Sequence, residues 1–398
     1  MSQETNHKGT HLETRIIRER TAAGPHREQV TPLYMASGFT FPDAETARTV
    51  YSGEQQGYVY SRWENPNTDE LIARLCALEG AEAGITTASG MAAIFSVLAG
   101  LLNSGDHILA SRSLFGATHQ ILTTTLPRWG ISHTYADSER PDTWADLIRP
   151  ETRLCLLETP SNPGLTLVDL AQVVALCRTR GVHVVVDNTF ATPLGQQPLA
   201  WGADLVVHST TKFLDGQGRT IGGAILGDSF LIKELTQFVR QTGPTLSPFN
   251  SWLVSQALET LPLRMERHCA NALALAEWLE GRPGVEAVRY PFLPSHPQHE
   301  LATRQMTSGG GLVTFAVAGG VTGGRRFLNA LQMCDIVANL GDVRTTATHP
   351  ASTTHSGLSE GDRQAVGITP GLIRVSVGLE HIDDIIADID HALSLSLS

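Results

Sequence analysis

Short apolar runs alternate with helical patterns through the middle of the chain. The runs are HILAS (107–111), RLCLLET (153–159), VHVVVDN (182–188), DLVVHS (204–209) and GGAILG (222–227). The stretches between them, such as DLAQVVALCRTRG, carry apolar residues at helical spacing. Continuous apolar runs of this length are typical of strands buried on both faces of a parallel sheet. The pattern predicts an α/β domain over residues 64–255 with a mostly parallel central sheet.

Two helices are predicted at the start of this domain. ELIARLCALEGAE (70–82) has Leu71, Leu75 and Leu78 on one helical face, and Gly80 is placed to end the helix. A second helix is expected to begin at Gly90 and to carry MAAIFSVLAGLL.

The pattern changes near the two ends of the chain. A long helix is predicted over about 251–281, followed by GGLVTFAVAGG, LIRVSVGLE and an amphipathic helix HIDDIIADIDHALSL. This order predicts a smaller α+β domain over 256–398. Residues 1–63 show little periodicity and are expected to form an extended arm.

Composition narrows the classes of protein that remain. The 398 residues carry a formal net charge of −11, which argues against a nucleic-acid-binding surface. No apolar run is long enough to span a membrane, and the N-terminus lacks the apolar segment of a secretion signal. The five cysteines are scattered, which favours reduced thiols in the cytoplasm. His349 and His355 lie close in sequence without other metal-ligand residues, so no metal site is expected.

Polar residues follow several of the predicted strands. Asp187 ends VHVVVD, and LVVHSTTK ends in Ser209, Thr211 and Lys212. Ser89, Gly90 and Met91 (ASGM) lie at a loop-to-helix junction, where free N–H groups favour an anion such as phosphate. Each residue alone has an ordinary structural explanation, since Asp often forms turns and Lys is usually solvated.

Together these residues suggest a cofactor site. Ligands of open α/β sheets bind beyond the carboxyl ends of the strands. Pyridoxal phosphate (PLP) needs a lysine for a Schiff base, an acid facing its pyridine nitrogen and a phosphate pocket. An acid, a lysine, hydroxyls and an anion cradle at one sheet edge fit that need.

The chain resembles the Cys/Met-metabolism family of PLP-dependent enzymes from about residue 30 to 395. The motifs that carry the resemblance are YSRWENPNTDELIARLCALEGAE, ASGM, ETPSNP, VVVDNTF, GADLVVHSTTKF and RVSVGLE. The resemblance implies the aspartate aminotransferase-like fold (fold type I), amino-acid substrates and a homodimer with shared active sites, in turn forming a homotetramer.

The resemblance also implies roles for individual residues. Lys212 matches the Schiff-base lysine, Asp187 the partner of the pyridine nitrogen, and Phe115 the ring that stacks on the cofactor. The phosphate pocket is matched by Gly90, Met91, Ser209 and Thr211, and by Tyr60 and Arg62 reaching in from a neighbouring subunit. Ser89, at the same loop-to-helix junction, is predicted to bind the cofactor with them. The substrate contacts are matched by Asn162, which also lies near the cofactor, Asn339 and Arg374, the last as the clamp for the α-carboxylate.

One departure from the family narrows the predicted reaction. Members that act as γ-lyases or cystathionine γ-synthases carry a tyrosine where this chain has Phe115, and methionine γ-lyases have a cysteine where it has Ala117. SRSLFG, DGQGR, RQTGPTLSPFNSWL, LPSHPQHELA and NLGDVRTTATHPASTTH are most similar to the O-succinylhomoserine sulfhydrylase subgroup. The resemblance therefore implies γ-replacement on an O-acylated homoserine by sulfide to give homocysteine.

Several alternatives stay open. The same scaffold supports cystathionine γ-synthase and methionine or cystathionine γ-lyase reactions, and a catalytically silent PLP-fold binding protein is a third possibility. The succinyl and acetyl esters are not distinguished, nor are sulfide and cysteine as the thiol. Arg240 either contacts the acyl group or is an exposed arginine at a helix end.

Overall fold

A computed structural model of the chain describes residues 10–20, 26–357, 360–365 and 367–396. The strands in these ranges are β1 Ala83–Thr87, β2 His107–Ser111, β3 Ser132–Ala136, β4 Thr152–Glu158, β5 His183–Asp187, β6 Leu205–Ser209, β7 Gly223–Gly227, β8 Val285–Arg289, β9 Leu312–Val317, β10 Asp335–Ile336, β11 Thr346–Thr348 and β12 Leu372–Ser376. The α-helices are α1 Leu12–Arg18, α2 Ala44–Tyr51, α3 Pro66–Glu79, α4 Gly90–Leu101, α5 Gly116–Gln120, α6 Leu170–Thr179, α7 Thr192–Gly195, α8 Ser229–Thr242, α9 Pro248–Leu258, α10 Leu261–Leu279, α11 His299–Gln305, α12 Gly320–Ala330, α13 Glu360–Ala365 and α14 Ile382–Ser396.

The strands form two sheets. The larger is a mixed seven-stranded sheet with the order β1-β7-β6-β5-β4-β2-β3. Its strands β2, β3, β4 and β5 pair in parallel, whereas β1 and β7 are antiparallel. The smaller sheet has five strands in the order β10-β11-β12-β9-β8. The predicted α/β fold with a mostly parallel central sheet is confirmed, and the five apolar runs all form strands of the larger sheet.

Local sequence signals account for where helix α3 begins and ends. Asn65 accepts a hydrogen bond from the backbone of Asn67 at 2.9 Å, and the Thr68 hydroxyl accepts one from the Asn65 backbone. Pro66 occupies the first helical turn, where its missing N–H has no partner to lose. Gly80 ends the helix with φ 71°, a conformation that favours glycine. α4 begins at Gly90, as predicted.

Two expectations differ from the structure. The single helix predicted over 251–281 is two helices, α9 and α10, because the chain breaks at Glu259 and Thr260 before Pro262 enters the first turn of α10. Apolar periodicity continues across that break, so the pattern alone did not show it. The N-terminal segment was expected to be extended, but it contains α1 and α2; α1 is held by Ile16, which is fully buried.

The chain divides into two compact units. The first comprises residues 1–101, 207–211 and 219–260, and in it α4 packs against α8 and α3 packs against α9. The second comprises 102–206, 212–218 and 261–398. It contains one core around Trp144 and the apolar residues of β4 and β5, and another around Phe315, Phe327 and Ile389. The three-segment division at residues 63/64 and 255/256 stays a prediction.

Among the described helices, none combines the length and the apolar character that crossing a membrane requires.

A buried charge network joins the helices of the first unit. The Arg74 guanidinium, 2 % exposed, lies 3.2 Å from the Glu70 carboxyl and 3.0 Å from that of Glu259. It also donates hydrogen bonds to the carbonyl oxygens of Ser255 and Glu19, at 2.6 and 2.7 Å. This single side chain therefore ties α3, α9 and the segment after α1 together.

We expect Arg74→Leu to destabilise the protein by about 3–5 kcal/mol, because the buried Glu70 carboxyl loses its ion-pair partner. Denaturant unfolding of the apoprotein, followed by far-ultraviolet circular dichroism, measures the loss. Arg48→Ala is the control, since Arg48 pairs with Glu45 and Glu54 on the exposed surface of α2 and should matter little. Equal losses of unfolding free energy for Arg74→Leu and Arg48→Ala would contradict a stabilising role for the buried Arg74 network.

Candidate active site

Two carboxyl groups lie at the ends of neighbouring parallel strands in the second unit. Asp187 is the last residue of β5, and Glu158, the last residue of β4, is its partner in the register. An Asp187 oxygen accepts a hydrogen bond from the Thr189 backbone at 3.1 Å. Burial, followed by the charge of Asp187, raises the pKa of Glu158 well above its usual range. The two carboxyls therefore favour one negative charge over two.

The Lys212 amine is hydrogen-bonded to an asparagine of the same unit. Its Nζ donates a hydrogen bond to Oδ1 of Asn339 at 2.6 Å. Burial and the nearby Arg374 guanidinium lower the pKa of Lys212 to about 8. A larger share of this amine is therefore unprotonated near neutral pH than in an ordinary lysine. An unprotonated amine is the form that adds to a carbonyl group.

Arg374 lies in the middle of β12 and is only 3 % exposed. Its terminal nitrogens donate to Oδ1 of Asn162 at 3.0 Å, to the Ala338 carbonyl at 3.0 Å and to the Asn339 carbonyl at 3.3 Å. All these acceptors are neutral. Its buried Nε has no hydrogen-bond partner within the described residues. A buried guanidinium with a free donor and no carboxylate is suited to receive an anion.

Phe115 precedes α5 and is 39 % exposed, so its ring is available to a ligand. The Phe115 backbone N–H donates to Glu158 at 2.6 Å, and the Asn162 backbone N–H donates to the other oxygen of Glu158 at 3.1 Å. Phe115 and Asn162 are thus connected through a residue that the sequence analysis missed. The signal was present, since Glu158 is a charged residue at the end of an apolar strand that precedes the SNP motif.

A close backbone approach is built into the first unit at Gly90. A Cβ at this position would lie 2.7 Å from the Cβ of Ser209 and 2.9 Å from its Cα, so only glycine fits. Ser89 caps α4 by accepting from the Ala92 N–H at 3.0 Å, and Met91 is in the first turn. The N-terminus of α4 and the Ser209 strand end are therefore neighbours, as a phosphate site requires. The Thr211 hydroxyl, in contrast, accepts from the Gly222 N–H at 3.1 Å.

Tyr60, Arg62 and Arg240 lie close together elsewhere in the first unit. The Arg62 guanidinium is 5.5 Å from the centre of the Tyr60 ring and donates to the Arg240 carbonyl. Arg240 pairs with Glu64 and lies 5.7 Å from the centre of the Trp63 ring. It is therefore a packed residue rather than a fully solvated one, and its contact with an acyl group stays a prediction.

The described residues contain no group of three or more His, Cys, Asp or Glu side chains that could hold a metal ion. Both ring nitrogens of His349 are within hydrogen-bond distance of other groups, the Ser352 hydroxyl and the Pro370 carbonyl.

The structure thus brings Lys212, Asn339, Arg374 and Asn162 into one hydrogen-bonded network in the second unit, and it places Gly90 against Ser209 in the first. Each unit, taken by itself, has chemistry that PLP needs. The first offers a phosphate cradle at the Gly90–Ser209 approach. The second offers a nucleophilic amine at Lys212, an acid at Asp187 and an exposed ring at Phe115. Arg374 keeps a donor for a substrate carboxylate. The individual roles of these residues remain predictions.

Comparison with known proteins identifies the class that this fold and site define. The model of the Cys/Met metabolism PLP-dependent enzymes matches residues 13–394. The chain belongs to this family, and the resemblance proposed from its motifs is confirmed.

Particular relatives cover nearly the whole chain. It is 47% identical over 383 residues to an O-succinylhomoserine sulfhydrylase of Pseudomonas aeruginosa, covering 96% of this chain and 94% of the relative. It is 44% identical over 366 residues to an L-methionine gamma-lyase of Porphyromonas gingivalis, covering 91% and 92%. The crystal structure of MetY from Campylobacter jejuni, which holds N'-pyridoxyl-lysine-5'-monophosphate, matches with a TM-score of 0.93 at 32% identity, covering 97% and 100%. The predicted fold type I and PLP dependence are confirmed.

The lowered pKa of Lys212 predicts how the apoprotein takes up its cofactor. The rate of PLP addition should rise with pH through a midpoint near 8, because only the unprotonated amine reacts. Stopped-flow absorbance at the cofactor band measures this rate. In Arg374→Leu the midpoint should move upward, because removing a positive charge favours the protonated lysine.

Arg304→Ala is the matched control for this shift, because Arg304 is an exposed arginine of the same unit that pairs with Asp169. It should leave the midpoint unchanged. A midpoint near the ordinary lysine value of 10.5 in the unsubstituted apoprotein would contradict the prediction.

Proposed function

We propose that this protein catalyses γ-replacement on an O-acylated homoserine, O-succinyl- or O-acetylhomoserine, with sulfide to give homocysteine, a step of methionine biosynthesis. The observation that carries the proposal is the network in which Arg374, with an unpartnered buried donor, lies beside the hydrogen-bonded amine of Lys212. The identity to sulfhydrylases supports the reaction type, and Phe115 supports it further.

The residues of the network have distinct duties in this proposal. Arg374 binds the α-carboxylate of the amino acid, and Asn162 and Asn339 orient it through their carboxamide groups. Bound PLP supplies an electron sink that stabilises negative charge at the substrate's Cα. With PLP bound, the Lys212 amine would take a proton from Cα and move protons at Cβ, since its pKa of about 8 suits both acceptance and donation.

Phe115 bears on the choice among reactions of the family. Its ring can lie against the cofactor, but it has no proton to give to a leaving group. A thiolate leaving from Cγ of methionine or cystathionine benefits from a nearby acid. A carboxylate leaving from an acyl ester is already a good leaving group and needs that help much less.

Cleavage of methionine or cystathionine is the second candidate. The identity of 44% to a methionine gamma-lyase supports it, because the whole scaffold is shared. Against it stands the missing phenol at position 115 and, for methionine, Ala117 where methionine γ-lyases have a cysteine. A silent binding protein is disfavoured because Lys212, Asp187 and Arg374 are all present.

We further propose that the active site is shared between subunits of a homodimer, with two dimers forming a tetramer in the cytoplasm. Tyr60 and Arg62 belong to the first unit and match residues that reach a neighbour's phosphate. Arg62 is exposed, lies over the Tyr60 ring and donates a hydrogen bond to the Arg240 carbonyl.

The reaction itself is tested by comparing substrates on one preparation. We expect efficient sulfide-dependent homocysteine formation from O-succinyl- or O-acetylhomoserine and only slow methanethiol release from methionine. General-acid help is worth roughly 10²–10⁴-fold, enough to separate the two classes. Phe115→Tyr should raise the methionine activity selectively. A larger kcat/KM for methionine in the unsubstituted enzyme would refute the proposed reaction.

Subunit sharing is tested by mixing two inactive variants. Arg62→Ala removes the residue proposed to serve a neighbour, and Lys212→Ala removes the amine that joins the cofactor. Mixed oligomers should regain activity, because one of their sites combines an intact Arg62 from one chain with an intact Lys212 from the other. Subunit exchange is confirmed separately with labelled chains. Complete exchange without recovered activity would show that each site is self-contained.

A further inference from the structure

Glu158 is a buried acid that has no role in the reaction proposed above. It is the last residue of β4 and is only 1 % exposed. In the parallel register it is the partner of Asp187 on β5, so both side chains leave the same edge of the sheet on the same side. A carboxyl buried at this place is costly unless its hydrogen bonds are satisfied.

Its two oxygens bind two different parts of the site. One accepts the Phe115 N–H at 2.6 Å and the other accepts the Asn162 N–H at 3.1 Å. Phe115 and Asn162 are 47 positions apart in sequence, and each belongs to a loop that leaves a strand end. Asn162 in turn accepts a hydrogen bond from Arg374 at 3.0 Å. These hydrogen bonds therefore link the Phe115 backbone, through Glu158 and Asn162, to the Arg374 guanidinium.

We propose that Glu158 is a positioning residue that aligns the Phe115 ring and the Asn162–Arg374 pair relative to Asp187, by accepting both backbone N–H groups with one side chain. The proposal rests on the proposed function only in taking Arg374 as the clamp for an amino-acid carboxylate. Glu158 is not itself a group that meets substrate.

Burial and the Asp187 charge raise the pKa of Glu158, and the two N–H donors lower it by less. The net direction favours the neutral acid. Keeping Glu158 neutral leaves Asp187 as the negative charge that faces the cofactor's ring nitrogen. A protonated carboxyl still accepts hydrogen bonds on both oxygens, whereas a carboxamide accepts on one only.

Two holoenzyme variants test the proposal, Glu158→Leu and Glu158→Gln. Leucine removes both acceptors and glutamine removes one, so both should weaken binding of L-norleucine, an amino acid without a leaving group. We expect a loss of roughly tenfold or more for leucine and a smaller loss for glutamine. The visible circular dichroism of the cofactor should also fall more for the leucine variant than for the glutamine variant, since this signal reports how the cofactor ring is held.

The charge state has its own spectroscopic readout. If Glu158 is neutral, Glu158→Gln leaves the pH midpoint of the visible chromophore unchanged. If Glu158 were an anion, removing its charge would lower that midpoint by about one unit, and this part of the proposal would be wrong.

Thr152→Val is the matched control at the other end of β4. Thr152 is buried and contacts the His107 ring at 2.8 Å and the Arg149 N–H at 2.8 Å, far along the strand from Glu158. It should lower the melting temperature without changing norleucine affinity or visible dichroism. If Glu158→Gln behaves in the same way, Glu158 is only structural and the proposal fails. Both readouts are independent of turnover, so they stand even if the enzyme makes no homocysteine.

Discussion

The arrangement of the second unit depends on one constraint, which is that charged side chains removed from water need hydrogen-bond partners. Arg374 is buried in a strand, and its hydrogen-bond acceptors among the described residues are neutral. Lys212 is half-buried in the same network, and the half-buried Asp187 carboxyl ends the strand next to that of the buried acid Glu158. Burial lowers the pKa of Arg374 to about 10 and contributes to the lowered pKa of Lys212. Burying a charged group is costly unless hydrogen-bond acceptors are supplied, and the oxygens of Asn162, Ala338 and Asn339 supply them for Arg374.

The same groups are useful because they are kept away from water. A guanidinium with a spare buried donor attracts a carboxylate more strongly than a solvated one does. An amine with a pKa of about 8 accepts and releases protons near neutral pH. The destabilising features of the fold and the features proposed for catalysis are therefore the same residues, and stability is supplied elsewhere, by the apolar cores and by buried networks such as that of Arg74.

To the proposed phosphate cradle, the first unit contributes a close backbone approach rather than groups with shifted pKa values. Gly90 begins α4 so close to the end of β6 that any side chain would collide with Ser209. The first turn of α4 is consequently held against Ser209 at the end of β6. Tyr60, Arg62, Trp63 and Arg240 form a separate aromatic and cationic cluster on an exposed part of this unit. That cluster is the natural place to look for contacts made by a second copy of the chain.

The sequence by itself determined the family, five of the seven strands of the larger sheet and the position of Lys212 just after a strand end, because strand runs, helix caps and glycine positions are local signals. It did not predict β1 or β3. It missed the break between α9 and α10, where apolar spacing continues across Glu259 and Thr260, and it missed Glu158. Only the tertiary structure decided that Glu158 lies beside Asp187 and that Asn339 accepts a hydrogen bond from the Lys212 amine. It also decided that the Arg374 Nε has no partner in the part of the chain that the structure describes. These facts depend on strand register and on contacts between residues more than a hundred positions apart, and no local pattern encodes such distances.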